Sequence, residues 1–341
     1  MRFDIARQPF VPAFLTLLAI TLLAMWGLEA PVAAGTAAAA ASAAPNPGTE
    51  LPGLAIGMPQ NLLLQFQLAH PLWAKWIGGL MLLLGGLNLG RLAVSTNLYG
   101  VSSCLAIPLY GILLCITGFG SEFLTALTEA LLLALTIKNY SRSFGNGYRF
   151  DALFRASLYL GLLVLLRPAL LPLVLLLPTA VWIFRRTLRE ATAACAGLLL
   201  PLAAWCYVNW GAGGTLSAPL LHIGTDFASG TPLTLFLRTP LYELIPAGCM
   251  LLFGLFSALH VLSEFYTTGM KPRFIFIFNM TALLLTTLLL GGPDAARNDA
   301  CLIAVPASLL IPFSFVRINR AIVWPLYLLL AASAVISPIL Q

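Results

Sequence analysis

Long apolar runs dominate this chain and leave only short polar segments between them. A helix needs about 20 mostly apolar residues to cross a bilayer, and the hydrocarbon interior forces such a segment to satisfy its own backbone hydrogen bonds. Charged residues make up 9% of the sequence, against roughly 25% in soluble domains, which excludes a soluble enzyme or a disordered chain. We therefore predict an all-α, polytopic integral membrane helical bundle of about 11 transmembrane helices. The predicted spans cover about residues 10–28, 73–94, 98–118, 121–138, 151–166, 168–185, 190–208, 240–262, 273–291, 300–316 and 321–339.

The spans group into a single membrane domain over 1–341. Residues 1–28 are expected to be an uncleaved signal anchor, although Pro31–Ala34 resembles a small-residue cleavage site and leaves a removed signal peptide as the alternative. Residues 29–72 read as an outer loop that contains an interfacial helix near Asn61–His70. The range 73–208 holds spans two to seven, 209–239 is a second outer loop, and 240–341 holds spans eight to eleven.

The distribution of Lys and Arg predicts the orientation. With the N-terminus in the cytoplasm and strict alternation, only Lys75, Arg167, Arg238 and Arg297 of the 18 basic residues fall outside. Cytoplasmic loops carry the excess of cations in membrane proteins. The chain is thus predicted to be a multi-pass protein of a bacterial inner membrane, with a cytoplasmic N-terminus and a periplasmic C-terminus.

Motifs that would bring in a cofactor, a metal or nucleic acid are missing from the sequence. The six cysteines show no C-x-x-C spacing, and the chain has no P-loop and no G-x-S-x-G. The basic residues stand in small groups between apolar runs and form no nucleic-acid-binding patch. We expect no metal, no cofactor and no nucleic-acid partner. Membrane lipid and a membrane protein are the partners that the composition and topology suggest.

Several polar residues fall at the outer ends of the predicted spans. Glu122, Glu243 and Arg238 belong to this set, and they are candidates for an outward-facing substrate site as well as simple solvated loop residues. Arg167 stands between two apolar runs and directly before Pro168, where a sharp bend is expected. Its guanidinium could bind an anionic head group through two parallel hydrogen bonds, or it could simply end a short helix.

Glu129 is the acid placed deepest in a predicted span. A carboxylate at membrane depth is costly and usually faces the bundle interior or a cavity. We expect Glu129 to point toward protein, as a substrate-cavity residue or as a buried hydrogen-bonding partner. Its helix face is shared largely by Ser121, Thr125, Thr128 and Thr136. The pairs Gly78-Gly79 and Gly85-Gly86 predict close contact between helices.

Residues 71–203 resemble a family of uncharacterised multi-span inner-membrane proteins from Bacteroidota. The resemblance rests on Asn88–Arg91, Asp151–Ser157, Leu166–Pro168, Phe184–Glu190 and Gly197–Pro201. It implies location and fold, and it carries no assigned activity.

The order of segments also resembles the C-type glycosyltransferases that use polyprenyl-phosphate sugars. The shared features are one span, a long outer loop with an interfacial segment, and a short helix that ends in Arg-Pro before the next span. The resemblance implies a lipid-linked sugar as a partner and a catalytic carboxylate in the first outer loop, and Glu29 matches that position. The paired acids of that family are absent, because Ala30 follows Glu29 and the next acid is Glu50.

These features leave three functional hypotheses. The first is a glycosyltransferase-like protein that acts on a lipid-linked substrate at the outer leaflet, with Glu29 as base and Arg167 on the phosphate. The second is a non-enzymatic accessory subunit of an envelope assembly or secretion complex. The third is a transporter of a small solute or a lipid.

Overall fold

The computed structural model describes residues 8–27, 54–55, 57–119, 122–144, 147–229, 233, 235–236, 241–263, 269–292, 295, 297–318 and 320–340. Its regular elements within these ranges are all helical, which confirms the predicted all-α class. The first seven α-helices are α1 (Phe10–Gly27), α2 (Pro59–Ala69), α3 (Pro71–Ser95), α4 (Ala106–Thr117), α5 (Phe123–Ser143), α6 (Phe150–Leu166) and α7 (Leu176–Ile183). The others are α8 (Leu188–Gly211), α9 (Ala218–Ser229), α10 (Leu241–Ser263), α11 (Met270–Leu289), α12 (Ala300–Arg317) and α13 (Arg320–Leu340). Two 3₁₀ helices, Pro168–Leu175 and Arg297–Asp299, precede α7 and α12.

Every predicted span overlaps a helix of the structure. Within the described residues, four helices, α3, α8, α11 and α12, are long and apolar enough to cross a membrane by length and composition. This arrangement is compatible with a multi-pass membrane protein. The full number of eleven spans, the membrane involved and its orientation stay predictions.

Three segments differ from the expected pattern. The predicted span 98–118 becomes helical only at Ala106, because Asn97 and Gly100 adopt left-handed φ values of 48° and 70° and end the preceding helix in a turn. The predicted span 168–185 is a 3₁₀ helix followed by α7, since Pro168 and Pro172 cannot donate the backbone hydrogen bonds of a regular helix. The predicted outer loop 209–239 contains the helix α9.

The centre of the fold is formed by α4 and α12. All of α4 is buried apart from Ile116, and every residue of α12 from Ala300 to Phe315 is buried. Helices α1, α3 and α13 pack on α4, whereas α5, α10 and α11 pack on α12. These two helices are therefore enclosed by protein, and their surroundings rather than their composition distinguish them from the outer helices.

Glycines let several of these helices approach closely. This confirms the close helix contacts predicted from the glycine pairs of α3. A Cβ on Gly86 would lie 2.8 Å from a side-chain carbon of Leu17, and one on Gly85 would collide with the ring of Tyr110. At the contact of α6 with α8, glycines of both helices face backbone atoms of the partner helix. A Cβ on Gly197 would lie 2.6 Å from the carbonyl oxygen of Phe154, and one on Gly161 would meet the backbone of Leu198. A side chain at either position would force the two backbones apart.

Candidate functional site

The first element of the site is Arg167, at the end of α6. Leu166 is the last residue of that helix because the residue before a proline is driven into extended conformation, and Arg167 has φ −146° and ψ 112°. Its backbone nitrogen still donates to the carbonyl of Leu163. The helix end thus fixes the backbone of Arg167, as the sequence predicted for the Arg167-Pro168 step.

The guanidinium of Arg167 binds Asp299. The Arg167 Nη1 group donates to Asp299 Oδ1, and Nη2 donates to Asp299 Oδ2 at 3.2 Å. Both side chains are almost fully buried, with 10% and 2% of their surface exposed. Such a bidentate ion pair is the strongest arrangement of an arginine and a carboxylate. Asp299 precedes α12 directly, but its side chain makes no capping hydrogen bond there, because the carboxylate is directed to Arg167 instead.

Glu129 completes the cluster from α5. One of its carboxylate oxygens, Oε2, lies 3.8 Å from Arg167 Nη1, and the residue is fully buried. Neither oxygen of Glu129 has a hydrogen-bond partner among the described residues. Glu129 thus faces the protein interior, as its position in the sequence predicted. It is the less well satisfied of the two acids that flank Arg167.

The N-terminal end of α5 is covered by α2. Gln67 is buried in α2, and its Oε1 accepts a hydrogen bond from the backbone nitrogen of Leu124 at 3.2 Å, which satisfies one of the free donors at the start of α5. Gln60 Nε2 donates to Glu122 Oε2 at 3.3 Å. The segment predicted to lie at the interface is indeed a helix, and it rests on the first turn of the helix that carries Glu129.

The predicted site residues are brought together only in part. Glu129 and Arg167 meet, and Glu122 lies seven residues before Glu129 at the start of the same helix. Glu29, Arg238 and the side chain of Glu243 lie outside the described residues. The structure places Arg167 beneath the surface, where acids of this chain occupy it, rather than at an open interface. Its role on a substrate phosphate stays a prediction.

Asp299 is the one member of this cluster that the sequence does not predict. It precedes a predicted span, as several other acids do, and nothing in the sequence singles it out as the partner of Arg167. The two residues are 132 positions apart, so no local spacing joins them. A sequence signal did exist in the shared outer location that the charge pattern assigns to both residues.

The chain matches no protein-family model, no curated protein and no solved structure.

Proposed function

We propose that this protein is a proton-coupled transporter of a small solute, in which Glu129, Arg167 and Asp299 form the proton-binding site. The observation that carries the proposal is the state of Glu129. Glu129 is fully buried, and no described residue gives it a hydrogen bond. The nearby cation, Arg167, already donates two hydrogen bonds to Asp299.

The charge balance of the cluster supports binding of one proton. Two ionised carboxylates and one guanidinium leave a net charge of −1, and an unbalanced charge in a low-dielectric interior is strongly unfavourable. One proton makes the cluster neutral. Because Asp299 has two hydrogen bonds from Arg167 and Glu129 has none from the described residues, the proton belongs on Glu129.

The backbone next to the cluster supports movement. Transporters commonly place their coupling-ion sites at interrupted helices, where unwound segments can change conformation. Arg167 lies at such an interruption, between α6 and the 3₁₀ helix Pro168–Leu175. Protonation of Glu129 would weaken its attraction to Arg167. Because Arg167 lies at the break between α6 and the 3₁₀ helix, this change would act directly on the interrupted helix.

Polar side chains that could relay a proton follow α5 from its N-terminal end to the cluster. Glu122 is partly exposed at this end, Thr125 follows one turn deeper, and Glu129 lies one further turn inside. The Thr125 hydroxyl is buried and has no hydrogen-bond partner among the described residues. Glu129 is six residues into α5, hence about 9 Å below its first residue at about 1.5 Å per residue. Protons are therefore expected to enter from the end that α2 covers.

Difference infrared spectroscopy of the purified protein across a pH titration tests the proton site. We expect a protonated-carboxyl band that titrates in the wild type and is absent in Glu129→Gln. Asp151→Asn is the matched control, because Asp151 is an exposed acid that pairs with Arg155. A spectrum in which no band is lost in Glu129→Gln would refute the assignment.

Coupling to a solute is tested in proteoliposomes that contain the pH dye pyranine. Amino acids, sugars and small carboxylates are added in turn, and lumenal acidification is recorded. At least one class should drive acidification by the wild type and not by Glu129→Gln. If no class does so while the infrared band titrates, the site binds protons but the transport proposal fails. If sodium and not a pH gradient drives uptake, the coupling ion is wrong.

The glycosyltransferase hypothesis stays a second proposal, and the helix α2 and the helix end at Arg167-Pro168 are the features that support it. It requires Arg167 to leave Asp299 in order to bind a phosphate, and it requires Glu29. Loss of envelope glycan in Glu29→Gln at unchanged protein abundance would favour it over transport. The accessory-subunit hypothesis gains nothing specific from the described contacts.

A further inference from the structure

We propose that Arg185 and the groove beside α7 bind the head group and one acyl chain of an anionic phospholipid. This site lies at the opposite end of the bundle from the acid cluster, and it does not depend on the proposed transport function.

Arg185 occupies a position where a glycine is usual. The α7 helix ends in a Schellman motif, in which Arg186 N donates to Val181 O at 2.9 Å and Arg185 N donates to Trp182 O at 3.2 Å. This motif places Arg185 in the left-handed region, with φ 51°. A residue with a Cβ is strained in this region, so an arginine here suggests that its side chain has a use.

The two adjacent arginines have different surroundings. The side chain of Arg186 is only 6% exposed, and its guanidinium donates to the carbonyl oxygens of Ser143 and Gly147 and pairs with Glu190 at 3.4 Å. Arg185 is exposed, and no hydrogen bond or ion pair joins its side chain to a described residue. Arg186 therefore holds the loop together, while Arg185 remains able to bind an anion.

Two cavities meet at these arginines. The polar one, of about 310 Å³, is lined by Tyr148 and Thr187 as well as both arginines. The other, of about 510 Å³, has the apolar side chains of Leu177, Pro178, Val181 and Trp182 along its wall. The polar cavity with its guanidinium suits the phosphate of a lipid head group. The adjoining apolar groove suits the acyl chain of the same lipid.

Charge and position favour an anionic lipid over a soluble anion. Trp182 is 81% exposed and Tyr148 is 63% exposed, and such aromatic residues are enriched where membrane meets water. Basic pockets between transmembrane helices on the cytoplasmic side are known head-group sites. The acid in the polar cavity, Glu190, is already bound by Arg186, by the backbone nitrogen of Arg149 and by Thr187, so its charge is compensated.

Native mass spectrometry of the purified protein tests the site with phosphatidylglycerol and phosphatidylcholine of the same acyl chains. The key variant is Arg185→Gly, because glycine adopts the left-handed conformation without strain. This variant should therefore unfold at a temperature no lower than that of the wild type. We expect its affinity for phosphatidylglycerol to fall about fivefold, as about 1 kcal/mol per arginine implies, and its affinity for phosphatidylcholine to stay constant. The matched control is Arg189→Ala, which removes an exposed arginine that does not line either cavity.

Three results would overturn the proposal. Equal affinity of the wild type for both lipids would exclude charge recognition. An equal loss in Arg189→Ala would show that general surface charge, and not this site, attracts the lipid. Displacement of the lipid by glycerol phosphate at equal concentration would assign the site to a soluble anion.

Discussion

Arg167 and Asp299 lie 132 positions apart in the sequence and form a buried, bidentate ion pair. The pair joins the interruption after α6 to the start of the central helix α12. Glu129 adds a second carboxylate to the same guanidinium at 3.8 Å. Three separate parts of the chain thus converge on one arginine, and the following predictions begin with it.

Removal of Arg167 should destabilise the protein strongly. Arg167→Ala leaves two buried acids without a cation, and loss of one partner of a buried ion pair costs about 3–5 kcal/mol. Asp299→Ala should cost a similar amount, and the double variant should cost clearly less than the sum of the two. Unfolding free energies in mild detergent measure these changes. Arg155→Ala, which breaks an exposed pair, is the control and should change stability by less than about 1 kcal/mol. Strict additivity of the two single variants would contradict the pairing.

The two acids of the cluster should respond differently to amide substitution. Asp299→Asn weakens a charge-assisted pair and should lower the unfolding free energy by about 1.5–3 kcal/mol. Glu129→Gln removes the acid that has no hydrogen bond from the described residues, so we expect stability to be unchanged or slightly higher. Unfolding of both variants at one pH gives the comparison. The assignment of roles is reversed if Glu129→Gln is the more damaging change.

The contact between α6 and α8 depends on two glycines. Gly161→Ala and Gly197→Ala place a methyl group against backbone atoms of the partner helix, and such overpacking costs about 1–3 kcal/mol. Gly248→Ala is the matched control, because a Cβ there meets nothing within 4 Å. This variant should gain up to about 1 kcal/mol from the higher helix propensity of alanine. Similar behaviour of all three variants would contradict the close approach.

The contact of α2 with the start of α5 should be measurable. Gln67→Ala removes the acceptor for Leu124 N, and one such hydrogen bond contributes about 0.5–1.5 kcal/mol. Gln65→Ala changes an exposed glutamine of the same helix and should be neutral. Limited proteolysis at α2, together with unfolding free energies, distinguishes the two. If both variants are equally sensitive to the protease and equally stable, the hydrogen bond from Leu124 N to Gln67 does not hold α2 against α5.

Topology can be tested with single cysteines in a cysteine-free background. Tyr148 is exposed near the arginine end, and the side chain of Asp226, on the other predicted side, is 43% exposed. A membrane-impermeant maleimide on intact cells should label Asp226→Cys and not Tyr148→Cys. A reporter fused after Gln341 should be active in the periplasm. Labelling of Tyr148→Cys in intact cells would reverse the orientation predicted from the basic residues.

The sequence by itself determined most of the local structure of this protein, but it did not predict the helix α9 or the 3₁₀ helix Pro168–Leu175. Apolar runs predicted the helices, because each helix satisfies its backbone hydrogen bonds within its own segment. The dipeptide Arg167-Pro168 predicted the end of α6, since proline restricts the residue before it. The cost of a buried charge predicted that Glu129 faces protein, and the small size of glycine predicted the close contacts of α3.

Only the tertiary structure decided which helices are neighbours. The outer and the central helices are similarly apolar, and in a bilayer apolarity alone does not drive one helix against another. The sequence therefore did not reveal that α4 and α12 lie at the centre, or that α2 covers the start of α5. For the same reason Asp299 resembled an ordinary residue before a helix, and its pairing with Arg167 depends on the three-dimensional packing that brings the ends of α6 and α12 together.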